Sequence, residues 1–309
     1  MDAKTEIQPL ARHSGVHLER VDRLAYSPDS RLLASSDVSG RVVLREVDGG
    51  RIRARLPDQP GSLSTLAFWP DGRKLLTVSR GEGRIWDLGK PDRPEAELAL
   101  GSLDALTLLP DGEHAVLADT SRVLQVLHLP DGERVRSLGR ALPDDEARQN
   151  LLSPTDVALS PDGAQLVAAR WDQSAALWNW RTGEKVRELG GFLRAAWSPD
   201  GKRIAVAAGM VSKRRTELRI VLLDAASGDK LLEIEDEAAF GFAPRGRHLV
   251  AVDGSGVRFY ELGAGKRVAR IDTRDHKPWT FAFSPDGRRL ATGGSDAAVV
   301  EWDLGGLEK

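Results

Sequence analysis

The chain has 309 residues, with 44 Lys and Arg against 46 Asp and Glu and a formal net charge of −2. That balance argues against a nucleic-acid backbone as main partner, which needs an excess of basic charge, and against a polybasic membrane anchor. Cysteine is absent, so disulfides, thiolate nucleophiles and cysteine zinc sites are excluded, while 41% hydrophobic and 29% charged residues are ordinary for a globular chain.

Taken from the N-terminus, the segment Glu6–Arg12 reads as a short strand ahead of the first repeat. Length alone favours about two domains, but one motif then runs through the chain. A four-residue turn recurs as Ser27-Pro28-Asp29-Ser30, Trp69-Pro70-Asp71-Gly72, Leu109-Pro110-Asp111-Gly112, Ser160-Pro161-Asp162-Gly163, Ser198-Pro199-Asp200-Gly201, Ala243-Pro244-Arg245-Gly246 and Ser284-Pro285-Asp286-Gly287. The prolines lie 42, 40, 51, 38, 45 and 41 residues apart. Proline at the second position and glycine at the fourth suit a type I turn. An alternating segment such as Leu24-Ala25-Tyr26 or Phe281-Ala282-Phe283 precedes each turn, and an apolar run such as Leu32-Leu33-Ala34 or Leu290-Ala291-Thr292 comes after it. That pattern predicts strand, turn, strand.

A third strand comes next, ending in Trp86-Asp87, Trp178-Asn179 and Trp302-Asp303 in three repeats, and in Arg45-Glu46, Leu127-His128, Leu223-Asp224 and Tyr260-Glu261 in the others. Fourth strands are predicted at Arg51–Leu56, Glu133–Leu138, Glu184–Leu189, Lys230–Ile234 and Lys266–Ile271. Four short strands per repeat of about 42 residues, seven times over, make seven small antiparallel sheets.

With these residues in view, the chain resembles the WD40-repeat β-propeller family over essentially its whole length; the clearest copy, residues 276–304, reads HKPWTFAFSPDGRRLATGGSDAAVVEWDL. The resemblance implies an all-β, seven-bladed propeller with four antiparallel strands per blade, occupying residues 1–309 as one domain. It also implies that the N-terminal strand completes the last blade, because only six residues follow Asp303. The family's buried relay of Asp, His, Ser/Thr and Trp maps onto His276, Thr292, Asp296 and Trp302. The first repeat keeps His17 and Ser35 but has Ser39 and Arg45 at the Asp and Trp positions. The fourth keeps Asp172 and Trp178. Trp86, Trp178, Trp197 and Trp302 are assigned to the blade cores.

An Asp, His and hydroxyl set is also that of a hydrolytic triad. Thr292 stands inside a strand, however, where its hydroxyl would be consumed internally, so a structural role is expected and no catalytic residue is assigned. His13 and His17 are four apart, but no third ligand is evident, so neither a metal nor a cofactor is expected. No phosphate-binding loop or catalytic signature is present.

Under the resemblance, recognition falls to the rim made by the loops leading into the first strands and those between the second and third strands. Trp171 and Trp279 are its candidate anchors, with Arg20, Lys277, Arg80 and Arg215 around them, since interface anchors are enriched in Trp and Arg. The resulting expectation is a non-catalytic scaffold that binds a protein or peptide, as a monomer or within a larger complex, with neither nucleic acid nor membrane as partner. The alternative is an enzyme or small-molecule binder using the central channel, lined at the first-strand starts by Asp22, Asp104, Thr155 and Leu193. No apolar run approaches the ~18 residues of a membrane span and the first ten residues lack a signal peptide's apolar stretch, so the expected location is cytoplasmic.

Overall fold

The recurring turn owes its shape to three side-chain contacts. In the first copy Ser27 Oγ donates to Asp29 at 2.6 Å, the Arg31 N–H reaches the same carboxylate at 3.0 Å, and the Leu32 N–H donates to Ser27 Oγ at 2.8 Å. Ser160, Ser198 and Ser284 repeat the bond to Asp162, Asp200 and Asp286, each at 2.6 Å. The fourth turn residue has φ between 61° and 72° in all seven copies, a left-handed conformation that explains glycine in six of them; Ser30 is the exception. The Asp or Asn closing the third strand does a similar job. Asp87 and Asp303 each accept a backbone N–H two residues on, from Gly89 and Gly305, at 2.8 Å.

The computed structural model describes residues 7–101, 103–119, 124–138, 154–170, 175–190, 192–211, 216–235, 239–273 and 276–307. Among them every regular element of more than one residue is a β-strand. The fold is a seven-bladed β-propeller, each blade a four-stranded antiparallel sheet. The chain groups into two compact units, residues 1–99 with 238–309 and residues 100–237.

The first unit holds four blades. Blade 1 is β2 (Val21–Tyr26), β3 (Leu32–Asp37), β4 (Val42–Glu46) and β5 (Ile52–Leu56); blade 2 is β6 (Leu63–Phe68), β7 (Lys74–Ser79), β8 (Glu82–Asp87) and β9 (Ala96–Ala99). Blade 6 is β22 (Ala239–Phe242), β23 (His248–Asp253), β24 (Gly256–Glu261) and β25 (Arg267–Ile271). Blade 7 takes β26 (Pro278–Phe283), β27 (Arg289–Gly294) and β28 (Val299–Asp303) and is completed by β1 (Pro9–His13), which pairs with β28. The N-terminal strand therefore does complete the last blade, set a little later in the chain than Glu6–Arg12.

The second unit holds blade 3, with β10 (Leu103–Leu108), β11 (His114–Asp119), β12 (Leu124–His128) and β13 (Arg134–Leu138); blade 4, with β14 (Pro154–Leu159), β15 (Gln165–Arg170), β16 (Ala175–Asn179) and β17 (Glu184–Gly190); and blade 5, with β18 (Phe192–Trp197), β19 (Arg203–Val211), β20 (Thr216–Asp224) and β21 (Lys230–Ile234).

The core lies between neighbouring sheets rather than inside any one. Ala34, Val42, Leu44 and Leu56 of blade 1 pack on Leu63, Leu66, Leu75 and Trp86 of blade 2. Ile7 joins Val252, Val257 and Phe259 of blade 6 and Val300 and Trp302 of blade 7. Each Val, Leu, Ile or Phe side chain among them contributes about 1.5–3 kcal/mol on burial, so a blade is stable only against its neighbours.

Candidate functional site

Three blades of the first unit carry buried polar chains. In blade 7, His276 Nδ1 meets Asp296 at 2.9 Å and its Nε2 meets Thr292 Oγ1 at 2.9 Å, while the Trp302 indole donates to the same oxygen at 2.9 Å. All groups are satisfied when Trp302 N–H donates to Thr292, the Thr292 hydroxyl donates to His276 Nε2, and Nδ1–H donates to Asp296. Burial pulls the His276 pKa below its ordinary value, against the opposing pull of Asp296, which keeps the ring neutral. Gly294 makes the approach possible, since a Cβ there would stand 2.0 Å from the His276 carbonyl oxygen. Thr292 is fully buried and its hydroxyl is engaged on two sides. A nucleophile needs an open face and an oxyanion site beside it, and this hydroxyl has no open face.

In blade 1, His17 Nε2 meets Ser35 Oγ at 2.8 Å and Nδ1 meets Asp37 at 3.1 Å. The acid comes from the end of β3, not from the Ser39 position. Ser39 instead donates to Asp37 through both its N–H and its hydroxyl, and Arg41 adds a backbone N–H. Burial opposes the charge on Asp37, yet these bonds outweigh it and hold the carboxyl below its usual range. Blade 2 has its own version. The Trp86 indole donates to Thr77 at 2.9 Å, Thr77 donates to Gln59 at 3.3 Å, and Arg84 donates to the same amide oxygen at 3.0 Å. Gln59 takes the place of histidine and Arg84 that of the acid.

A fourth buried cluster ties blade 7 to blade 1. Glu301, in the middle of β28, is fully buried and accepts the Tyr26 hydroxyl and His13 Nε2, each at 3.1 Å, and Arg289 at 3.5 Å. Tyr26 ionises far above the ordinary phenol range, through burial and the nearby Glu301 charge. Arg45 adds a further positive charge opposite Glu301 and donates to the Gly50 carbonyl.

At the starts of the inner strands the geometry turns outward. Pairing shifts register between Val21 and Arg23, Leu63 and Thr65, and Pro278 and Thr280, so Asp22, Ser64 and Trp279 occupy equivalent bulge positions. Bulges re-aim a side chain, which is why Trp279 falls out of phase with Phe281 and Phe283. Asp22 is 7% exposed and accepts hydroxyl bonds from Ser36, at 2.8 Å, and from Ser62. It therefore joins blade 1 to blade 2 rather than lining a channel. Trp279 is 57% exposed, and the Arg20 guanidinium lies over its ring, 5.2 Å from the centroid. Leu18, two residues before Arg20, is 71% exposed. Lys277 matches Arg20 in backbone role, since their carbonyls accept N–H bonds from Ser295 and Val38, and both side chains are exposed. Arg80 sits apart in the β7–β8 turn with a φ of 50° and an exposed side chain.

Residues 152–179 and 266–303 match the WD domain, G-beta repeat family. The chain is 22% identical to Actin-interacting protein 1 of Drosophila melanogaster, over 94% of this chain and 48% of that protein. It is 25% identical to WD repeat-containing protein 1 of Gallus gallus, over 62% of this chain and 32% of that one, and 33% identical to the COMPASS component SWD1 of Saccharomyces cerevisiae, over 27% and 21%. The family model thus matches parts of two of the seven repeats, and the relatives resemble the chain at 22–33% identity. It spans about half the length, or less, of these curated relatives.

In this propeller, the structure brings His276, Thr292, Asp296 and Trp302 together, and joins His17 directly to Ser35, with Asp37 on the other side of the ring. Arg20, Trp279 and Lys277 lie on the segments leading into blades 1 and 7. Trp178 is 7% exposed and packs with Leu138 and Leu166. Trp171, Asp172 and Arg215 lie outside the described residues, as do the side chains of Asp104, Thr155 and Leu193. Among the described residues no cluster of three or more His, Asp or Glu could hold a metal ion, and no helix is long and apolar enough to cross a membrane. Sequence reasoning missed Asp37, Gln59, Arg84 and Glu301. Only Glu301 carried a visible signal, as a lone charge in the apolar run Val299-Val300-Glu301-Trp302.

Proposed function

We propose that this chain is a non-catalytic scaffold that holds a protein or peptide against the segments leading into blades 7 and 1. The observation that carries the reading is the exposed Trp279 ring with the Arg20 guanidinium stacked above it, beside the exposed Leu18. A large aromatic kept in water on a rigid strand start offers contact area at little entropic cost, and Arg adds hydrogen-bonding capacity to the same spot. Lys277 and the more distant Arg80 add positive charge, which favours an acidic segment with an apolar anchor. Two relatives are named for association, one with actin and one as a component of a complex. Trp171 and Arg215 belong to the same proposed rim. The proposed setting is cytoplasmic, with a protein partner and neither nucleic acid nor membrane.

The test is affinity capture from lysate of the source cell, comparing the wild-type chain with Arg20→Ala/Trp279→Ala, followed by titration of any captured protein in purified form. Loss of at least about tenfold in affinity, with an unchanged melting temperature, supports the reading. Equal binding by the two baits sinks it.

A further inference from the structure

Between β1, β28 and the end of β25 the first unit encloses a cleft of about 660 Å³, apart from the Trp279 surface. That is the size range of small-molecule sites. One wall is apolar, made by Ile7, Ile271, Val300 and Trp302. Two residues that line the cleft carry polar groups whose bonding capacity the protein does not use up. The Thr273 side chain is 95% buried, from its 5% exposure, yet its hydroxyl has no hydrogen-bond partner. Buried hydroxyls are nearly always paired, and one left unpaired beside a cavity is a group awaiting a ligand or water. Arg270 also lines the cleft, and its guanidinium makes one hydrogen bond, to the Ser255 carbonyl at 3.0 Å, with no carboxylate partner among the described residues. The other two charges at the cleft are committed elsewhere. Arg12 pairs with Asp296, and Asp272 has a partner of its own.

We propose that this cleft binds a small organic acid, with one carboxylate held by Arg270 and the Thr273 hydroxyl and an apolar body laid against Ile271 and Trp302. The planar guanidinium matches a carboxylate's two oxygens. The Asp272 charge limits the ligand to a single negative charge, which disfavours a phosphate dianion. His276 and the Trp302 indole N–H supply no contact, because both of the His276 ring nitrogens and that N–H are spent in the blade 7 relay.

Isothermal titration of the full chain with 3-phenylpropionate, 3-phenylpropionamide and inorganic phosphate tests this. The acid should bind saturably at one site, and the amide about tenfold more weakly or worse, as expected when a charge-assisted bond is lost. Arg270→Gln should weaken the acid by about tenfold and leave the amide unchanged. Thr273→Val should weaken both while keeping or raising the melting temperature, because it removes an unpaired buried hydroxyl. Trp279→Ala should change nothing here, which separates this site from the proposed protein-binding rim. The proposal is overturned by no saturable heat with the acid, by equal affinity for acid and amide, by indifference to both cleft substitutions, or by phosphate binding more tightly than the acid.

Discussion

In blade 7 the buried chain runs from Trp302 through Thr292 and His276 to Asp296; in blade 1 it runs from Ser35 through His17 to Asp37 and lacks the indole, because Arg45 stands at the tryptophan position. The two blades also differ in where the acid sits. Asp296 is in a turn and its side chain is 18% exposed, whereas Asp37 ends a strand and is completely buried. What the blades share is that every buried polar group in these chains has a partner. The requirement is satisfaction rather than residue identity, and blade 2 shows the same with Gln59 and Arg84. Arg45 at the tryptophan position has a consequence in the neighbouring blade, since a half-buried cation is stabilised by a nearby counter-charge. Glu301 of blade 7 provides it and recruits Tyr26, Arg289 and His13 as well.

The largest effect should come from removing residues 1–13. This takes away β1, the Ile7 packing and the His13 bond to Glu301 at once, and leaves blade 7 with three strands and β28 as an open edge. The melting temperature should fall by about 10 °C or more; an unchanged melt would show that β1 is dispensable. Next comes Glu301→Ala, which takes the acceptor from the Tyr26 hydroxyl and His13 and removes the negative charge near Arg45, while Arg289 keeps Asp48 and the Val47 carbonyl; it should cost about 3–5 kcal/mol in urea denaturation. Glu301→Gln keeps an acceptor for Tyr26 and should cost clearly less. If the two variants lose the same stability, the charge absent from both, and not the acceptor that Gln keeps, is what joins the blades.

A smaller effect sharpens the contrast between the two acids. Asp37→Ala leaves the bonds from His17, Ser39 and Arg41 unmet in a buried site and should cost about 3 kcal/mol, while Asp296→Ala opens a site that water can reach and should cost about 1 kcal/mol. Equal losses would mean that the burial of the acid does not decide its worth.

The architecture was legible because turn chemistry repeats. Seven copies of the Ser-Pro-Asp-Gly pattern and the Trp-Asp strand ends set the blade boundaries, and the predicted fourth strand Lys230–Ile234 coincides with β21. The buried chains were legible only where residues matched in kind. Asp37 was hidden because its carboxylate reaches His17 from a strand end instead of a turn. Gln59 was hidden because an amide can replace an imidazole without any pattern announcing it. Trp279 stood out in sequence by its phase, but the cause of that phase is a bulge, which depends on pairing to the next strand. Asp22 shows the converse. It shares the bulge position with Trp279, yet turns inward because Ser36 and Ser62 donate to it, and no local pattern separates the two cases.

The subtlest expected effect concerns acid. Burial lowers the pKa of both His17 and His276 below the ordinary value, against the pull of Asp37 and Asp296. The unfolded chain takes up these protons near pH 6.5, an approximate value, while the folded chain resists them to lower pH. Below that point the unfolded state binds more protons, so stability is full above about pH 6.5 and declines as pH falls, by at most about 1.4 kcal/mol per pH unit for each histidine. Blade 2 points to the substitution that isolates the effect, since Gln59 fills the same role without titrating. His17→Gln should therefore lose little at pH 7.5, about 1 kcal/mol, and should flatten the decline between pH 6.5 and 5.5 when unfolding is followed in urea across that range. His276→Gln should flatten it in the same way. A slope that survives both substitutions would place the acid sensitivity outside the relays.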